Sequence, residues 1–170
     1  GITRMSEGQL RFKEFSDNIG LDYYPRKSLS FNQYQEFSFN LEGKVKYTEN
    51  MMSGNVSGSW VIYNEIVMDT ELETGSANVR IPALLISLGV VVPSFTMEKE
   101  GFFDKLKGYA GFNDIDFDAY PDFSDKFLLR GKDEPAIRSF FHAELLELIE
   151  AYPNYHVENN GTMLLIYPFN

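Results

Sequence analysis

The sequence predicts an α+β fold: a mainly antiparallel sheet of about five to seven strands, with an N-terminal helix and a longer C-terminal helix. Three observations carry that prediction. Residues 7–19 space their apolar side chains at helical intervals. Residues 36–98 change to a period of two between turn-forming residues. Residues 133–151 return to helical spacing, ahead of a two-strand pattern at 155–167.

The first element has clear punctuation. Ser6 followed by Gln9 is a capping-box pair, and Met5 and Leu10 stand where a hydrophobic staple closes. Phe12, Phe15 and Ile19 recur on one side, which predicts an amphipathic helix resting on the core. Gly20 can end it in a left-handed cap. Tyr23 to Ser30, with Pro25, reads as a loop. From Glu36, Phe37, Phe39 and Leu41 alternate with polar residues, and after Gly43 so do Val45 and Tyr47. Ser53 to Gly58 reads as a hairpin connection and Trp60 to Met68 as a β-branched and aromatic strand. Thr70 to Ser76 reads as a polar turn. Strands at Val79–Leu88 and Phe95–Met97 complete a meander spanning 36–98.

Residues 99–131 form an aspartate-rich connection with helical turns at Phe102–Lys107 and a short strand at Lys126–Leu129. The helix at 133–151 starts with Asp133, Glu134 and Pro135, which suit a first turn, and carries Ile137, Phe141, Leu145 and Leu148 as one apolar stripe. Asn159-Asn160-Gly161 marks the turn of the closing hairpin. No composition break divides the 170 residues, so a single domain is expected.

Composition excludes several functions. A net charge of −10 argues against nucleic-acid binding and against electrostatic attachment to anionic headgroups. The absence of cysteine removes disulfides, thiolate metal sites and thiol nucleophiles, and fits a reducing compartment, cytoplasmic or on the inner side of a membrane tether. No apolar run reaches the length of a membrane span, so no direct insertion by this chain is expected. The chain begins with Gly1 rather than Met, which leaves room for targeting or membrane segments ahead of it. A protein partner or self-association through an open sheet edge is compatible with this pattern.

The sharpest chemical candidate is an acidic stretch. Asp114, Asp116, Asp118, Asp122 and Asp125 occupy relative positions 1, 3, 5, 9 and 12, the ligand spacing of a calcium loop. Ala119 stands where the loop's sharp turn needs glycine, Pro121 follows it, and Asp125 has a shorter arm than the usual glutamate. The alternative points Ile115 and Phe117 into the core and the aspartates to water, and it carries more weight. His142 and His156 are far apart with no metal-site spacing. Nucleophile elbows, phosphate loops and dinucleotide fingerprints are absent, and no cofactor is expected. Phe31, Tyr34 and Trp60 can line a groove but suit a core better.

Gly111-Phe112-x-Asp114-Ile115-Asp116-Phe117, Pro121-x-Phe123-Ser124 and Phe127-x-Leu129-Arg130-Gly131-x-Asp133-Glu134 together resemble an uncharacterised bacterial domain family. The similarity extends from about residue 44 to 168. Members of that family often carry hydrophobic segments ahead of the soluble domain, so the resemblance implies membrane tethering but no activity and no site residues. The leading expectation is a non-enzymatic binding or protein-interaction domain, possible as the soluble part of a membrane-tethered bacterial protein. The rival is an acidic-residue or metal-dependent hydrolase with its site near Asp114–Asp125.

Overall fold

A computed structural model describes residues 4–37, 43–72, 75–100 and 113–169 of the chain. Helix α1 (Glu7–Ile19) forms as its punctuation predicts. The Gln9 amide donates to Ser6 Oγ, and Gln9 Oε1 accepts from the Ser6 amide. Gly20 closes the helix at φ 77°. The helix leads directly into a short edge strand, β1 (Asp22–Tyr24), within the segment expected to be loop.

The meander follows as β2 (Lys44–Val56), β3 (Ser59–Leu72) and β4 (Gly75–Ser87). The β2–β3 turn is narrower than the sequence suggests. Ser57 and Gly58, at φ 52° and 87°, make a two-residue hairpin, and Asn55 Oδ1 accepts from the Gly58 amide. The β3–β4 strands run on into the segment read as a polar turn. Phe39, Leu41, the helical turns expected at Phe102–Lys107, Gly111 and Phe112 lie outside the described residues.

After β4 the chain departs from a simple meander. Strand β5 (Phe95–Lys99) does not pair with β4; it lies between β6 (Phe127–Arg130) and β7 (Tyr155–Asn159). The closing hairpin, β7 with β8 (Met163–Pro168), inserts between them, because β8 pairs with β4. The result is one eight-stranded antiparallel sheet in the order β1-β2-β3-β4-β8-β7-β5-β6. With its flanking helices the fold is α+β.

The expected C-terminal helix is two helices. α3 (Glu134–Phe140) and α4 (Ala143–Ala151) meet at His142, whose Nδ1 accepts from the Leu145 amide and caps α4. The break rotates the buried stripe, so Leu146 is buried while Leu148 is exposed. A third short helix, α2 (Pro121–Lys126), precedes β6.

Strand alternation gives the sheet two differently covered faces. On one, Ile66, Met68, Leu85 and Leu165 pack under Tyr34 and Phe37. The Tyr34 hydroxyl donates to Asn64 Oδ1 at 2.6 Å. The other face carries the helices. Phe12 of α1 packs there with Leu21, Met52 and Val61, while Phe95, Met97 and Leu129 pack with Ile137, Phe141 and Leu146.

Candidate functional site

The two helical groups on that face leave the middle strands open between them. α1 packs through Phe12, which stacks on Tyr23 at 5.8 Å and approaches Tyr63 at 5.9 Å. Phe15 and Ile19, expected in the core, are instead 53% and 44% exposed. They form one wall of a trough floored by Val61, Tyr63, Leu84 and Ile86. Across Tyr63 and Leu84 the trough continues to Leu145, Leu148 and Ile149 of α4. Its two sections have volumes of about 970 and 680 Å³. Single small-molecule sites span roughly 300–1,000 Å³. Arg11 is the charged side chain among the lining residues, and stands exposed at the rim.

Beyond Tyr63 the same face of the sheet turns polar. Arg80 there bridges Glu49 and Glu65. Asn50 sits at a β-bulge with φ 54°, a conformation asparagine tolerates, and this aims its side chain into the same cluster. It accepts from the Tyr23 hydroxyl and donates to Glu65, each at 2.7 Å. Burial, reinforced by Glu65, pushes the Tyr63 hydroxyl up to about 12, so it remains a neutral donor at the junction of apolar and polar floor.

The aspartates lie outside the trough lining, beside the edge strand β6 and on α2, and do different jobs. Asp114 Oδ1 accepts from the Leu129 amide at 2.8 Å, and the Ile115 amide donates to the Leu129 carbonyl, so this segment is laced to β6. Ile115 is buried and Phe117 stacks edge-on to Phe123 at 5.7 Å. Asp116 and Asp118 are exposed, and Asp122 and Asp125 project from α2. Among the described residues no group of three or more His, Cys, Asp or Glu is placed to hold a metal ion. A helix occupies the second half of the spacing that a calcium loop needs as continuous loop. His142 and His156 lie on opposite sides of the sheet, the first capping α4 and the second beside Tyr167 on the face away from the helices.

Asp114 has a measurable consequence. Burial raises its carboxyl to about 6; the Leu129 amide opposes this, and Asp116 and Glu100 add to it. With the folded value above the unfolded one, its contribution is complete below pH 4 and is lost as pH rises through 6. Asp114→Asn keeps an acceptor for Leu129 and removes the charge. After solvent screening, it is expected to gain about 1 kcal/mol relative to wild type at pH 7 over pH 4. Urea unfolding at the two pH values measures this; an unchanged difference would refute it.

Sequence reasoning pointed to the aspartates and missed the trough. The signal available was the α1 stripe, together with β-strands apolar on both faces.

Fold and trough define the class: an α+β chain whose open antiparallel sheet carries two helical groups on one face with an apolar channel between them. It is similar in structure to the crystal structure of the mycobacterial trehalose monomycolate transport factor A, TtfA, with a TM-score of 0.63. The two are 13% identical over 96% of this chain and 83% of that one, a likeness of fold. No family model matches the chain, and no curated protein matches it in sequence. Among the described residues, no helix is long and apolar enough to cross a membrane.

Proposed function

We propose that this chain is a non-catalytic binding domain that holds the acyl chain of an amphiphile in the trough between α1 and α4. The observation that supports it most is the lining: mainly aliphatic and aromatic side chains over both sections, with Arg11 as the one cation among the described lining residues, at the rim. An acyl chain needs length and dryness rather than paired hydrogen-bond partners, and its polar head can remain at the rim beside Arg11. A soluble domain of a membrane-tethered bacterial protein, as the sequence resemblance implies, would meet such ligands. That a chain of this fold is named as a transport factor for trehalose monomycolate agrees with a role without catalysis.

Titration with a fluorescent fatty acid tests this directly. Saturable binding is expected, displaced by unlabelled long-chain fatty acid. Phe15→Glu, at an exposed position, is expected to weaken it by about tenfold or more while leaving the melting temperature nearly unchanged. Absence of saturable binding, or full affinity in Phe15→Glu, would remove the proposal.

A further inference from the structure

The charged residues of this chain are unevenly placed along the strand direction. Residues 50–64, 81–97 and 159–169 contain no Asp, Glu, Lys or Arg at all, in a sequence with 25 acidic and 15 basic residues. The sheet brings these three stretches together. The β2–β3 turn at Ser57-Gly58, the β4–β5 connection and the β7–β8 turn all lie at one end, because Trp60 pairs with Ser87 and Ser87 with Met163. The connections are also tied to each other: the Leu88 amide donates to the Thr162 carbonyl and the Val92 amide to the Gly161 carbonyl.

The opposite end is charged, with Lys44 paired to Asp69 and Lys99, Glu100 and Lys126 together at the β5–β6 junction. Among the described residues, the charges nearest the neutral end lie toward its flanks, with Asp17 and Asp22 beside β1, Lys132 and Asp133 after β6, and Arg11 of α1 lining the trough with Val56 and Ser59. Beside the uncharged polar residues Asn55, Ser57, Asn160 and Thr162, the neutral end exposes large apolar side chains. Val91 is 84% exposed, Val90 63%, Trp60 48% and Val56 40%.

We propose that this neutral end docks on the interfacial layer of an electrically neutral bilayer, with Val90, Val91 and Trp60 entering the headgroup zone. Tryptophan favours that zone because its ring is apolar and its N–H can stay hydrated. A protein partner fixes its register through directional polar contacts, of which the side chains of Val56, Val90 and Val91 offer none, whereas a fluid lipid surface requires no register. Charge placement also decides which lipid. The net charge of −10 is held mainly away from the contact, so a neutral surface is approached without penalty while an anionic one repels the whole chain. Val56 and Ser59 at this end also line the trough, so docking would bring the trough's mouth to the lipid surface. The docking does not depend on what the trough holds.

Trp60 is the sole tryptophan, so its fluorescence reports this end alone. With phosphatidylcholine vesicles the emission is expected to shift to the blue and to be quenched when the lipid carries bromine on its acyl chains. Replacing a third of the lipid by phosphatidylglycerol at low salt is expected to weaken partitioning severalfold. Val91→Asp is expected to reduce it by about tenfold or more, at a position exposed enough to leave folding intact. Leu29→Asp, at a position 80% exposed and outside the trough lining, should leave it unchanged. No shift with phosphatidylcholine, equal partitioning of Val91→Asp, or a shift that grows with protein concentration without vesicles would each overturn the docking. Fatty-acid titration of Val91→Asp separates the two readings, since binding in the trough should survive loss of docking.

Discussion

Gly131→Ala is expected to destabilise the chain by about 3 kcal/mol, at the upper end of what overpacking usually costs. A Cβ at Gly131 would stand 2.3 Å from Ile137 Cδ1 and 2.6 Å from the Ser94 carbonyl oxygen, with Phe95 Cα at 3.5 Å. Three elements converge on that point: the end of β6, the approach to β5 and the buried side of α3. Ile137 is the end of a side chain and could turn, but it is fully buried in the cluster with Phe95 and Phe141. The Ser94 carbonyl belongs to the backbone and cannot yield without moving β5. Adding Ile137→Val removes the Cδ1 contact, so the double variant should lose less than the sum of the two single losses while retaining the carbonyl clash. Gly20→Ala is the contrast. Nothing lies within 4 Å of its Cβ, and its φ of 77° alone should cost about 1 kcal/mol. Urea unfolding followed by circular dichroism measures all four; a loss below about 0.5 kcal/mol for Gly131→Ala would contradict the close approach.

Gly131 also gives physical content to the segment around it. In Leu129-Arg130-Gly131-x-Asp133-Glu134, Leu129 is fully buried and binds the Asp114–Ile115 segment through its amide and carbonyl. Gly131 lets β6 pass under α3, and Asp133 Oδ1 accepts from the Ala136 amide at 3.1 Å to start that helix. These are roles of packing and capping.

What could be read from the sequence was what is encoded locally. The Ser6–Gln9 pair and Gly20 bound α1 to the residue, and alternation located β2, β3 and β4. Two features depended on distant partners. Nothing in Phe95–Lys99 states that its neighbour is β7 rather than β4, because strand pairing is decided by the closing hairpin sixty residues later. The α3–α4 break was hidden because Ile137, Phe141 and Leu145 keep helical spacing across it, and histidine is not among the usual caps. The trough was hidden for a different reason. An amphipathic stripe such as Phe12–Phe15–Ile19 predicts that a helix has an apolar side, but not how much of that side the sheet covers. Only Phe12 is covered, and the remaining two positions become a wall.

Acidification from pH 7 to pH 4 is expected to withdraw about 3 kcal/mol of stability through His156. Its side chain is 3% exposed, stacked on Tyr167 with 4.8 Å between ring centroids and met edge-on by Phe169 at 4.6 Å. Burial lowers its pKa from 6.5 to about 4, and the positive charge of Lys99 adds to the effect. Glu98 Oε2 lies 4.0 Å from Nδ1, beyond hydrogen-bond reach, and burial outweighs its attraction for a proton. With the folded value below the unfolded one, the contribution is complete above pH 6.5. It is lost as pH falls toward 4, because the unfolded imidazole takes up a proton that the folded one refuses. Asp114 works in the opposite sense over the same range, so Asp114→Asn should steepen the acid loss while His156→Gln flattens it. Urea midpoints at pH 7, 5.5 and 4 separate the three curves. Should His156→Gln fail to fold, the His156 ring resonances in the wild-type chain carry the same information: they should not titrate between pH 7 and 5, and a midpoint near 6.5 would rule out the assignment.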